Sequence, residues 1–153
     1  MAPGPAASGG IVVSGPGREV TLTGTGLAAL PSVQVTVPAG TAAGARDHTF
    51  EGPLLWTVLA QAGAVDPAKH QGDVRGTVML TGRDGYTAVL ALGELSPEFE
   101  NKQVMLAMRA DGQPLEPGHL RVVVPGDKRG GRGVHDLVRI SVAAGPAPQH
   151  GAR

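Results

Sequence analysis

The sequence predicts an α+β domain, mainly β, with mixed sheets and one or few short helices. Three observations predict it: many short β-branched runs, Gly and Pro between them, and one stretch with helical spacing. The 153 residues include 24 Gly and 13 Pro, about a quarter of the chain. That share approaches the level of low-complexity chains, yet here the two residue types sit between apolar runs and read as turns. Hydrophobic residues make up 41% and aromatics only 3%, so the core is built from Val, Leu, Ala and Ile. The length suits one domain, placed at 11–142. Residues 1–10 and 143–153 are rich in Ala, Pro and Gly. They are expected to be flexible tails, because they bury too little to offset chain entropy.

Ile11 to Val13 and Val20 to Thr23 are β-branched runs around the turn residues Gly15, Pro16 and Gly17, a strand–turn–strand signal. Val33, Val35 and Val37 alternate with Gln34 and Thr36, the period of a half-buried strand. A Gly/Ala-rich loop follows at 38–45, then a short strand at 46–51. The spacing predicts a helix over 53–63. Pro53 suits its first turn and Gly63 its stop, and Leu54, Leu55, Val58, Leu59 and Ala62 form one apolar stripe. Trp56 lies off that stripe. Strands return at 76–81, 86–92, 104–109, 120–124 and 137–142, with a single helical turn at 94–99. Arg83, Asp84 and Gly85 supply a tight turn between the first two, and Asp111-Gly112 another before Gln113.

Thirteen basic and thirteen acidic residues give a formal net charge of zero, which argues against a general nucleic-acid binder. No apolar run is long enough for a membrane-spanning helix. The chain has no cysteine, which excludes disulfides, thiolate zinc sites, iron–sulfur clusters and cysteine nucleophiles. The first ten residues lack the basic start and apolar stretch of a secretory leader. The five His show no metal spacing, the Ser residues no nucleophile elbow, and the Gly-rich stretch no Walker or dinucleotide pattern.

The most informative stretch runs from Leu120 to His135. An apolar strand carrying Arg121 enters a Gly-rich loop with Lys128, Arg129 and Arg132, and His135 follows. Glycines let backbone N–H groups approach a ligand, and guanidinium groups fork onto phosphate or carbonyl oxygens. One reading is a site for an anion or polar heterocycle; the other is a solvated, flexible loop. Arg83, Asp84 and Tyr86 form a second loop. There Asp suits an amino-heterocycle and Tyr can stack, or the segment is a plain Asp-Gly hairpin turn. Trp56 is either a stacking platform or partner contact, or it fills a second packed layer.

The order of pieces resembles the sulfite-oxidase-like molybdopterin-binding domain. They are His48-Thr49-Phe50-Glu51-Gly52-Pro53-Leu54-Leu55-Trp56, then Asp84-Gly85-Tyr86, then Leu92-Gly93-Glu94-Leu95. Leu106 to Leu115, Leu120 to Gly126 and Val138 to Val142 complete the series, covering about residues 46–142. The resemblance implies a pterin cofactor, with Arg121, Arg132 and His135 matching the family's basic positions. In catalytic members one cysteine thiolate also holds molybdenum. It would fall around 35–41, where this chain has none, so a soft metal centre would lack the ligand that sets its geometry. His also stands where a Lys is common, lowering fixed positive charge. Short cysteine-less members are similar to periplasmic pterin-binding proteins that act through a membrane signalling partner of cyclic-di-GMP turnover.

The expectation is therefore a non-catalytic, periplasmic pterin-binding sensor with no bound metal. Its ligand residues would be Arg83, Asp84, Tyr86, Arg121, Lys128, Arg129, Arg132 and His135. The ligand would be a reduced pterin or molybdopterin, and Trp56 a stacking or partner contact. The alternatives are a molybdopterin-dependent oxidoreductase lacking the cysteine ligand, and an interaction domain that has lost every ligand.

Overall fold

A computed structural model describes residues 10–39, 45–66 and 75–144. The expected tails fall almost wholly on 1–9 and 145–153, and most of the 38–45 loop on 40–44; these lie outside the described residues. The fold is mostly β. Its strands are β1 (Ile11–Gly15), β2 (Arg18–Leu22), β3 (Val33–Val37), β4 (His48–Gly52), β5 (Thr77–Gly82) and β6 (Thr87–Ala91). They continue as β7 (Met105–Ala107), β8 (Arg109–Ala110), β9 (Gln113–Pro114), β10 (Arg121–Val123) and β11 (Leu137–Ala143). Three short helices, α1 (Gly24–Ala28), α2 (Leu55–Gln61) and α3 (Leu92–Leu95), join a 3₁₀ turn at Gly130–Arg132.

The strands form three sheets. The largest has the order β2-β1-β11-β5-β6; β1 and β11 run parallel and the other pairs antiparallel. A second, antiparallel sheet has the order β3-β4-β8-β9. The third is the pair β10-β7.

This third sheet lies between two cores. Leu106 and Val122 belong to the main core with Ile11, Leu55, Leu59, Leu80 and Ile140. Their neighbours Met105, Ala107 and Val123 belong to a smaller core with Phe50. Successive side chains of a strand point to opposite faces, so a strand between two cores must be apolar on both. That is why 104–107 reads as an unbroken hydrophobic run and 120–124 is interrupted only by Arg121.

The helix predicted at 53–63 is shorter, at Leu55–Gln61. Leu54 is its N-cap and offers no capping side chain; the Leu55 N–H instead donates to Val104 O at 2.8 Å. Gly63, at φ +73°, closes the other end. Gly63 N–H donates to Ala60 O and Ala64 N–H to Leu59 O, a Schellman cap that needs the left-handed residue. Leu55, Val58, Leu59 and Ala62 are buried as the stripe requires.

Trp56 is half-buried and packs against the main core, the second-layer position that its offset allows. Thr23, expected at a strand end, is the N-cap of α1 and accepts from Gly26 N–H at 3.0 Å. Leu92, expected in a strand, begins α3. Asp111 (φ +51°) and Gly112 (φ +81°) make a two-residue hairpin loop with both φ positive, the geometry that Asp-Gly favours.

Gly52 marks where β4 crosses β7. A Cβ there would lie 1.8 Å from Leu106 O and 3.1 Å from Met108 N. Both are backbone atoms, which cannot swing aside. Gly52→Ala is expected to destabilise the fold by at least ~2 kcal/mol, read as a lower urea midpoint or as failure to accumulate folded protein.

Candidate functional site

The residues after β10 leave the sheet and return. Val122 N–H donates to Val134 O at 2.9 Å, Leu137 N–H donates to Leu120 O at 3.0 Å, and Arg121 bridges His135. The loop between them is thus pinned at its base. Above the base it faces the end of β3 and the floor at Phe50. Together they enclose an open cavity of about 500 Å³ lined by Thr36, Val37, Pro38, Ala39, Phe50, Arg121 and residues from Val124 to Gly130.

Arg121 is aimed by strand alternation. Two residues before Val123, it faces the smaller core, and its guanidinium carbon lies 5.0 Å from the centre of the Phe50 ring. That is a cation–π distance. Phe50 is 4% exposed, so the ring serves as a platform beneath the guanidinium and not as a surface for ligand. Arg121, Lys128 and Arg129 all line the cavity. Among the described residues none of the three makes an ion pair with a carboxylate.

Arg132 has a different environment. Its Nε and Nη2 donate to the two Asp127 oxygens at 2.9 and 2.8 Å, and its Nη1 to both Glu94 oxygens at 3.0 and 3.2 Å. All three nitrogens are occupied within the protein, so this guanidinium is a clamp between the loop and α3. The bonds from Asp127 and Glu94 push its pKa higher still, and the Arg132 bonds hold the Asp127 carboxyl below its ordinary value. For Glu94 burial pulls upward, but the Ala91 N–H and Arg132 outweigh it and the net shift is downward. Lys102 adds a contact to Glu94 at 3.4 Å.

The second predicted loop supports the first one from behind. Asp84 accepts from Tyr86 N–H at 3.0 Å, an ordinary hairpin-turn bond, and Arg83 donates to Gly118 O. The Tyr86 hydroxyl donates to Gly131 O at 2.6 Å, tying the β5–β6 hairpin to the 3₁₀ turn. Arg83, Asp84, Tyr86, Arg132 and His135 do not line the cavity; Arg121, Lys128 and Arg129 do. Trp56 does not reach it. Sequence reasoning missed Phe50, whose signal was the β3 alternation: the β3–β4 register sets Phe50 opposite Val35, on the face the valines bury.

Three cations beside an open cavity suit the anionic and planar parts of a pterin cofactor. They do not suit its metal. The lining contains no sulfur, and its one carboxylate, Asp127, is held by Arg132. Among the described residues no three His, Asp or Glu side chains converge to hold a metal ion, and no helix is long and apolar enough to cross a membrane.

A mixed-sheet β scaffold with a basic loop over a cavity defines a cofactor-binding class of domain. The chain belongs to the oxidoreductase molybdopterin binding domain family, sulfite oxidase-like in fold, whose model matches residues 12–150. Among solved structures it is similar to the sulfane dehydrogenase SoxCD from Paracoccus pantotrophus, with a TM-score of 0.68 and 18% sequence identity. The likeness covers 94% of this chain and 40% of that one, so this chain spans well under half of that protein's length. A search of curated proteins found no match.

If Arg132 is a clamp, removing it should cost stability whether or not a ligand is present. Arg132→Ala is expected to lower unfolding free energy by about 1–2 kcal/mol near neutral pH. The depressed Asp127 and Glu94 values contribute stability that is complete above the ordinary carboxylate range, about pH 5, and is lost as pH falls through the lowered values. The gap between variant and wild type should therefore narrow below about pH 4, as urea titrations across that range would show.

Proposed function

We propose that the protein is a non-catalytic pterin-binding module that senses its ligand and reports occupancy to a membrane signalling partner. The observation that carries the binding reading is the set of three cations, Arg121, Lys128 and Arg129, around a cavity whose one carboxylate, Asp127, is taken up by Arg132. Unpaired positive charges gathered in a concave site favour an anionic ligand. Arg121 would hold the heterocycle or its carbonyl through its planar face and fork; Lys128 and Arg129 would hold a phosphate. His135 and Arg132, which match the family's basic positions, stand apart from this set: His135 does not line the cavity, and Arg132 is paired with Glu94 and Asp127.

The sensor reading is supported by the sulfur-free lining and by a chain without cysteine. A periplasmic location and a partner in cyclic-di-GMP turnover belong to the same proposal. A pterin bound without metal supplies recognition alone. A molybdenum-loaded molybdopterin would supply redox chemistry, which the family's name favours as the second reading.

Calorimetry with a phosphorylated, reduced pterin tests the first reading. Binding is expected, and Arg121→Gln should weaken it roughly ten- to a hundredfold, the worth of one charged hydrogen bond. Absence of heat with wild-type protein would count against it. Metal analysis after expression in a host that makes molybdopterin separates the readings: far less than one molybdenum per chain is expected, and a stoichiometric content would favour the oxidoreductase.

A further inference from the structure

His48 stands on β4 two residues before Phe50, on the same strand face, with their ring centres 6.3 Å apart. Its cross-strand partner is Val37, which lines the cavity. The imidazole therefore stands beside two lining residues, Val37 and Phe50, without itself lining the cavity, and its side chain is about half exposed. It is also held. His48 Nδ1 lies 2.7 Å from Asp111 Oδ2, while Asp111 Oδ1 accepts from Thr49 N–H at 2.9 Å.

Asp111 is one of the non-glycine residues with positive φ. Its own N–H donates to Thr49 O at 2.7 Å, so the hairpin turn delivers the carboxylate to β4 from two directions. The His48 hydrogen bond, then the Thr49 N–H, keep the Asp111 carboxyl below its ordinary value, so it is an anion that can only accept. The hydrogen between the two groups consequently belongs to Nδ1. A neutral His48 then has a bare Nε2, an acceptor outside the Asp111 contact.

An acceptor at that point distinguishes two states of one ligand. In an oxidised pterin the nitrogens of the pyrazine ring are bare acceptors; in the tetrahydro form both carry hydrogens and donate. Resting on the pterin reading above, we propose that His48, with its tautomer set by Asp111, is the residue that selects a reduced pterin over the oxidised one. His48 contacts the ligand's N–H edge, and Asp111 is a positioning residue that acts through it. A bare acceptor facing another acceptor leaves both unbonded, which is how such a site rejects the wrong partner.

The test is anaerobic calorimetry at about pH 8, above the ordinary imidazole range, using neopterin monophosphate and its tetrahydro form. Wild-type protein is expected to bind the reduced form about tenfold or more tightly than the oxidised one. His48→Phe keeps a ring against Phe50 and removes both nitrogens, so the ratio should collapse toward one. Asp111→Asn is the sharper variant. The Thr49 N–H fixes the amide oxygen at the Oδ1 position, leaving the amide nitrogen to donate to Nδ1. That moves the imidazole hydrogen to Nε2 and should shift preference toward the oxidised pterin.

A role limited to stapling the β8–β9 hairpin would lower the melting temperature and leave the ratio alone. Equal wild-type affinities, or a preference retained in His48→Phe, would overturn the inference while leaving pterin binding intact. Wild-type protein that binds neither form would instead overturn the pterin reading itself. Should Asp111→Asn fail to fold, the His48→Phe ratio decides alone.

Discussion

The two-residue alternation of the β7–β10 ladder sets where the cavity's central cation points. Val122 enters the main core, and Arg121 and Val123 turn toward the smaller one. A slip of one residue would drive a guanidinium among Leu55, Leu59 and Ile140 and expel a valine. An unpaired charge in that setting is far more costly than any gain from re-pairing the strands. Burial on both faces thus locks the register, and the register fixes Arg121 over Phe50. The hydrophobic effect here determines the position of a charge.

A net charge of zero conceals how unevenly the charges are distributed. Arg132, Lys102, Arg109 and Arg139 all meet carboxylates, and these pairs hold one segment to another. Arg121, Lys128 and Arg129 meet none among the described residues and share one cavity. The loop from Val124 to Gly133 contains both kinds. Its clamping arginine and its free cations are near neighbours in sequence, yet three-dimensional partners pair the one and leave the others without a carboxylate.

That division explains which parts of the molecule were legible in the sequence. The fold class and most strands followed from β-branched runs and turn residues, because those signals are local. The helix over Leu55–Gln61 followed from its stripe and from Gly63. The α1 helix was hidden by Gly24 and Gly26, which lower helix propensity, and its cap, Thr23, was read as the end of a strand. For the site, the basic loop was visible as a composition shift, but the roles of its members were not. Arg132 resembled a ligand residue because nothing near it in sequence shows that Glu94, on α3, comes to meet it. Phe50 and the His48–Asp111 pair were equally out of reach, since each depends on pairing between strands: β3 with β4 in one case, β4 with β8 in the other.

The clamp also bears on how such a cavity exists without a thiolate. In a site organised by a metal, a loop can rely on the metal for its shape. Here the loop is fixed by protein groups alone: Arg132 between Asp127 and Glu94, Tyr86 on Gly131, and the Val122–Val134 bond at the base. A loop already ordered imposes little entropy cost on binding, so a ligand meets a formed site. The open backbone at Gly126 and Gly130, where a Cβ would meet nothing within 4 Å, leaves room for that ligand to approach. A chain without cysteine thus keeps its cationic hollow, because Arg132, Tyr86 and the bond at the loop's base sustain it.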